Sequence, residues 1–172
     1  MHKRIFIILS LLVAVSCQEE TSLKETDDNP VYLTEIHLGQ GYLDQINNAE
    51  KITLSRIRNL DYGDYEVEPV AVDLELDDMS ELKDILLNDR SYVFDLRKRC
   101  VFVPEYVLEF SVKERKLLLL YAPLCKEFKL PYGQFKAQII EIDPSFKKIE
   151  ELLKKYKQQL EVSDENNTSI ND

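Results

Sequence analysis

A chain of 172 residues with 44% hydrophobic and 31% charged side chains has the composition of one ordinary folded domain. Its 22 basic and 32 acidic residues leave a net charge of −10, which a phosphate backbone repels, so nucleic acid is excluded as an expected partner. With only 4 Gly and no Trp, a Gly-rich repeat and a Trp-lined sugar-binding cleft are excluded as well.

The chain opens on Met1-His2-Lys3-Arg4, a short basic head, followed by the apolar run Ile5 to Val15. A helix of that length reaches about 16 Å, well short of the ~30 Å hydrocarbon core, which suits a cleaved signal better than a permanent span. Ala14-Val15-Ser16-Cys17 resembles the lipobox of bacterial lipoproteins, with Ala14 standing where Leu is usual. The resemblance implies a signal over 1–16 and a lipid on Cys17 that makes the membrane a partner. Gln18 is not the Asp that favours inner-membrane retention in such proteins, and Glu19-Glu20 resembles the export tether of Bacteroidota lipoproteins. The expected address is therefore the cell envelope, at the outer membrane, facing either the periplasm or the surface. Residues 1–16 carry two basic residues and no acid, so their removal moves the net charge from −10 to −12.

Residues 17–30 are polar and read as a flexible acidic tether, residues 31–160 as a single domain, and 161–172 as a disordered tail. Within the domain, 31–48 shows little pattern. Ile52, Leu54 and Ile57 begin an alternating strand, and Asn59 to Asp64 is turn-like in composition. Val70, Val72, Leu74 and Leu76 alternate with polar or small residues, and Pro69 places that strand at a sheet edge. Asp78 with Glu81 three residues on has the form of a helix cap, and Met79, Leu82, Ile85 and Leu86 give the helix one apolar face. The acids of 75–78 lack a calcium-loop pattern and fit a helix N-terminus.

Tyr92, Phe94 and Leu96 then alternate, as do Tyr106, Leu108, Phe110 and Val112. The unbroken run Leu117 to Tyr121 suits a central strand covered on both faces. Residues 127–130 and 135–142, around Pro131-Tyr132-Gly133, read as a final hairpin. Asp143-Pro144 opens a last helix, with Asp at the N-cap and Pro at N1. Its stripe of Phe146, Ile149, Leu152, Leu153, Tyr156 and Leu160 is expected to pack on the domain's own sheet. Lys147, Lys148, Lys154, Lys155 and Lys157 interleave with Glu150 and Glu151, as on a solvated helix face. The expected fold class is α+β, an antiparallel sheet of six or seven strands with two helices on one face.

Cys17 being assigned to lipid, Cys100 and Cys125 are left to pair in an oxidising compartment, closing a loop worth about 3 kcal/mol in the chain-entropy account. They form no Cys-x-x-Cys redox motif, and two Cys fall short of four zinc ligands. His37 is the only histidine after residue 16, which denies the domain a multi-histidine metal site, and it reads as a loop residue rather than a catalytic base. No Gly-rich phosphate loop is present, and neither a cofactor, a metal nor a catalytic set is expected. The segments SYVFDLRKRCVFVPEYVLEF and LLLLYAPLCKEFKL resemble small lipoproteins of Bacteroidota that have no assigned activity. Tyr92, Cys100, Pro104, Phe110 and Cys125 carry that resemblance, which spans about residues 80–155. The functional expectation is a non-enzymatic, lipid-anchored binding or structural module. Two alternatives stay open: an acidic inhibitor that neutralises a basic toxin or hydrolase, and an envelope enzyme using carboxylates.

Overall fold

The computed structural model describes residues 38–59, 65–94, 98–130 and 138–168. Cys17, the tether, His37 and residues 60–64 and 131–137, where turns and the start of the last strand are expected, lie outside the described residues. The alternating segments form six antiparallel strands: β1 (Lys51–Asn59), β2 (Tyr65–Asp73), β3 (Tyr106–Val112), β4 (Arg115–Ala122), β5 (Glu127–Leu130) and β6 (Gln138–Glu141). They are ordered β2-β1-β3-β4-β5-β6, so the fold is α+β with an open antiparallel sheet.

Register explains which face each side chain takes, because residues directly opposite on neighbouring strands point the same way. Leu54, Leu108 and Leu119 form one row across β1, β3 and β4, and Ile52, Phe110 and Leu117 form the next. Tyr106, Tyr121, Phe128 and Ile140 continue that face to β6. All of these are buried in one cluster with residues of the helices, so this is the inner face. The intervening residues, among them Ile57, Val107, Leu120 and Ala122, point to the outer face.

Pro69 lies in β2 at the sheet edge, as its missing N–H requires, and the β1–β2 register shifts beside it, between Ser55 and Ile57. Glu66 and Glu68 add charge to that edge, which discourages pairing with another chain.

Among the described residues three helices cover the inner face, where the sequence predicts two. The additional one, α1 (Gln40–Asn47), falls in the weakly patterned stretch. Eight residues are too few for a helix that stands alone in water, and α1 is held by burying Tyr42, Leu43 and Ile46 in the core. Helix α2 (Leu76–Leu86) starts earlier than predicted: its N-cap is Glu75, and Asp78 lies inside the first turn. Asp78 is drawn off capping by a tertiary partner, since it accepts the hydroxyl proton of Tyr156 and pairs with Lys155 at 2.7 Å.

Helix α3 (Phe146–Thr168) also differs at its start, for Asp143 to Ser145 form a turn instead of a cap and first helical residue. Asp143 is engaged by Lys98 and Lys126. The helix runs on to Thr168, past Leu160 where its apolar stripe ends, so the predicted tail is helical through that residue. The stripe itself packs against the sheet: Ile149, Leu152, Leu153, Tyr156 and Leu160 are all buried in the main core.

The strand expected around Tyr92 is reduced among the described residues to one bridge, Val93 to Glu141, after a 3₁₀ turn at Asp89–Ser91. Tyr92 is instead fixed by donating its hydroxyl to the Leu86 carbonyl at 2.5 Å, which seals the end of α2. Burial pushes the hydroxyls of Tyr92 and its neighbour Tyr42 well above the ordinary tyrosine range.

Candidate functional site

Among the described residues the outer face is covered by one strap, residues 98–105, which has no regular secondary structure and leads into β3. Its centre is Phe102, which packs on Ile57, Val107, Leu118 and Leu120 in a second, small apolar cluster. This accounts for the continuous apolar run in β4: one set of side chains faces the helices and the other faces the strap. Lys129 lies over the Phe102 ring, 5.6 Å from its centroid.

Three sets of bonds hold the strap down. Cys100 is joined to Cys125 by a disulfide, with Cα atoms 5.8 Å apart. At the C-terminal end Ile57 donates its N–H to the Glu105 carbonyl, and Glu105 donates its own to Tyr121, both at 2.9 Å. At the other end Lys98 donates its backbone N–H to Glu141 Oε1 at 2.9 Å. The Lys98 ammonium donates to the Cys125 carbonyl at 3.0 Å and pairs with Asp143. The sequence left Cys100 and Cys125 to pair; the strap and its ammonium anchor had no signal of their own, since Lys98 stands between Arg97 and Arg99 in a basic run.

Beneath the Lys98 end lie two acids. Glu127 and Glu141 are directly opposite on β5 and β6, only 3% and 4% exposed. Burial raises Glu127 above its ordinary range; Lys98 opposes this, while Glu141 and Asp143 add to it. Asp143 is held below the ordinary carboxylate range by its bond to Lys98 and, more weakly, by Lys126.

The same region displays apolar side chains to solvent. Val101 and Val103 flank Phe102, Leu124 adjoins Cys125, and Ile139 is the β6 partner of Lys129. Val101 and Leu124 are 81% and 83% exposed, the most exposed of the large apolar residues among those described, and Val103 and Ile139 are also exposed. Aliphatic groups held in the open on a cross-linked frame lose little entropy on binding, which suits recognition of another surface.

Two other polar clusters serve the fold. Under α3, Glu150 accepts the Tyr121 hydroxyl at 2.5 Å and pairs with Lys157 at 2.6 Å. Lys157 also sits 4.6 Å from the Tyr106 ring centroid and 5.1 Å from that of Tyr121. Burial first, and Glu150 second, push the Tyr121 hydroxyl far above neutral pH, so it stays protonated and anchors the helix. Between α2 and α3, a groove of about 460 Å³ is lined by Asp78, Lys148, Leu152, Lys155 and Gln158 among others. Lys155 spans Glu75 and Asp78, and Tyr156 accepts the Glu75 N–H at 2.9 Å, so this cluster ties the start of α2 to α3.

Three lysines of α3 are drawn into pairs with acids, Lys147 with Glu151, Lys155 with Glu75 and Asp78, and Lys157 with Glu150. Among the described residues no group of three or more His, Cys, Asp or Glu is arranged to hold a metal ion. Among the same residues no helix is long and apolar enough to cross a membrane. No family model, no curated protein and no solved structure matches this chain.

Proposed function

We propose that this protein is a lipid-anchored binding module of the cell envelope, tethered at the outer membrane through Cys17, and that its strap presents the recognition surface. The basic head, the short apolar run and Ala14-Val15-Ser16-Cys17 support the anchor. The resemblance of residues 80–155 to small Bacteroidota lipoproteins supports the address. One observation carries the binding role. Of the eight exposed large apolar residues among those described, four (Val101, Val103, Leu124 and Ile139) gather on and beside the disulfide-clipped strap.

The charge of the chain favours a second reading, an inhibitor that neutralises a basic toxin or hydrolase, because net −12 after signal removal would steer a cationic partner. The two readings differ in salt dependence. A partner held by the apolar strap keeps its affinity as salt rises, whereas one steered by charge loses it.

The test has two arms. Labelled palmitate should enter the wild-type chain and not Cys17→Ala; label in neither sinks the anchor. For binding, Leu124→Asp should lose partner recovery from envelope extracts at both low and high salt, while Leu76→Asp on α2, whose side chain is 80% exposed, should not. Equal recovery by both variants sinks the strap as the recognition surface. Loss of recovery with salt in the wild type selects the inhibitor.

A further inference from the structure

The two buried acids under the strap are the feature that neither the fold nor the proposed binding role uses. Two carboxylates side by side repel, and burial makes each charge costlier, so such pairs release their two protons in well separated steps. Glu127 and Glu141 stand directly opposite in the β5–β6 register, the position in which side chains lie closest across a sheet. Both are almost fully buried.

Hydrogen bonding gives an independent sign. Glu141 Oε1 accepts the Lys98 N–H, but Glu141 Oε2 is buried and has no hydrogen-bond partner among the described residues. An ionised carboxylate oxygen left so is expensive; a protonated one becomes a donor, and the nearest acid on the adjoining strand is Glu127.

We infer that Glu127 and Glu141 share one proton, and that this proton latches the Lys98 end of the strap to the sheet. Among the described residues, the charged groups facing the pair fit that state. Lys98 comes from the strap, Asp143 follows β6, and Lys126 precedes β5 and pairs with Asp143 at 3.5 Å. From β4 the opposing residue is Ala122, which brings no charge. The Lys98 ammonium is already committed to Asp143 and to the Cys125 carbonyl, so it cannot neutralise two further carboxylates. With one proton the pair carries a single negative charge beside that ammonium. Loss of the proton puts a second charge in a site closed to water; the cost of burying it outweighs the attraction of Lys98, so the relief is to open this end of the strap and let water in. The cross-link at Cys100 limits the opening to the segment before it. The inference stands on the fold and does not depend on lipidation of Cys17.

The sign follows from the raised Glu127. A carboxyl whose folded value lies above its unfolded one stabilises the fold below the unfolded value, and that stability is lost as pH rises through the folded value. The test uses the full, disulfide-bonded chain. Carbon NMR of the glutamate side-chain carboxyls should show one resonance titrating well above the ordinary range of ~4.3. Across that window the folded-to-unfolded ratio should fall by up to about tenfold per pH unit. Exchange of the Lys98 amide, corrected for intrinsic base catalysis, should accelerate with the same midpoint. Glu127→Gln should abolish that midpoint. Both carboxyls titrating within the ordinary range, or a Glu127→Gln chain that keeps the wild-type pH dependence, would overturn the latch. If Glu127→Gln does not fold, Glu141→Gln and the wild-type NMR titration decide the matter in the same way.

Discussion

The two faces of the sheet are stabilised by different means. The inner face meets three helices, and its rows of Leu, Ile, Phe and Tyr merge into one continuous cluster that runs from Leu38 to Leu160. The apolar cluster on the outer face has three buried residues, Ile57, Val107 and Leu120, under one aromatic ring. So few residues remove too little apolar area from water to order a strap of eight residues, since each ordered residue costs about 1–2 kcal/mol of backbone entropy. The disulfide, the Lys98 bonds and the buried acid pair lie on this face, where apolar burial alone is insufficient. Covalent and polar fastening is what allows aliphatic side chains to stay exposed without collapsing into a core.

The comparison breaks most readily at the inner face. Phe110 is fully buried in the middle of β3, and Phe110→Ala should cost about 3–5 kcal/mol, read as a lower urea midpoint. A change under 1 kcal/mol would mean that the helices do not carry the fold. On the outer face, replacing Cys100 and Cys125 together by Ser should cost about 3 kcal/mol, for a separation of 25 residues. The effect should be local in the native state: amides of residues 98–105 should exchange faster while those of β1, β3 and β4 keep their protection. Loss of protection throughout the sheet would erase the distinction between the faces.

A smaller effect sharpens the picture at the helices. Tyr156→Phe removes the donor to Asp78 and the acceptor for Glu75, and should cost about 1–2 kcal/mol in urea unfolding. Asp78 is held below the ordinary range by Lys155 first and Tyr156 second, so its stabilising effect is present above its unfolded value and is lost as pH falls through the folded one. The variant should therefore lose stability at a higher pH than wild type during acid titration. An unchanged acid limb would show that Lys155 alone sets Asp78. Together with Glu127, whose effect runs the other way, Asp78 and Asp143 should place the stability maximum on the mildly acidic side.

Alternation made the strands legible: Leu54, Val72, Leu108 and Leu119 reach the core as their period predicts, and Pro69 marks the edge strand. The α3 stripe was equally plain. What escaped the sequence is local structure decided by a distant partner. Helix α1 exists because a core waits for Tyr42 and Ile46, and Asp78 abandons the cap for Tyr156, which lies 78 residues away. Among the described residues the strand expected at Tyr92 gives way to a single bridge, because Tyr92 bonds α2 and Val93 meets β6 without extending a ladder.

The sequence by itself determined the signal-like head, the acidic balance, the places of most strands along the chain and the covered nature of β4. These follow from composition and period, which act over a few neighbouring residues. Only the tertiary structure decided that residues 98–105 form a strap, that Phe102 is its seat, and that Glu127 faces Glu141. Those facts depend on register and crossing, through which residues far apart in sequence come to share one buried volume, and no local pattern encodes them.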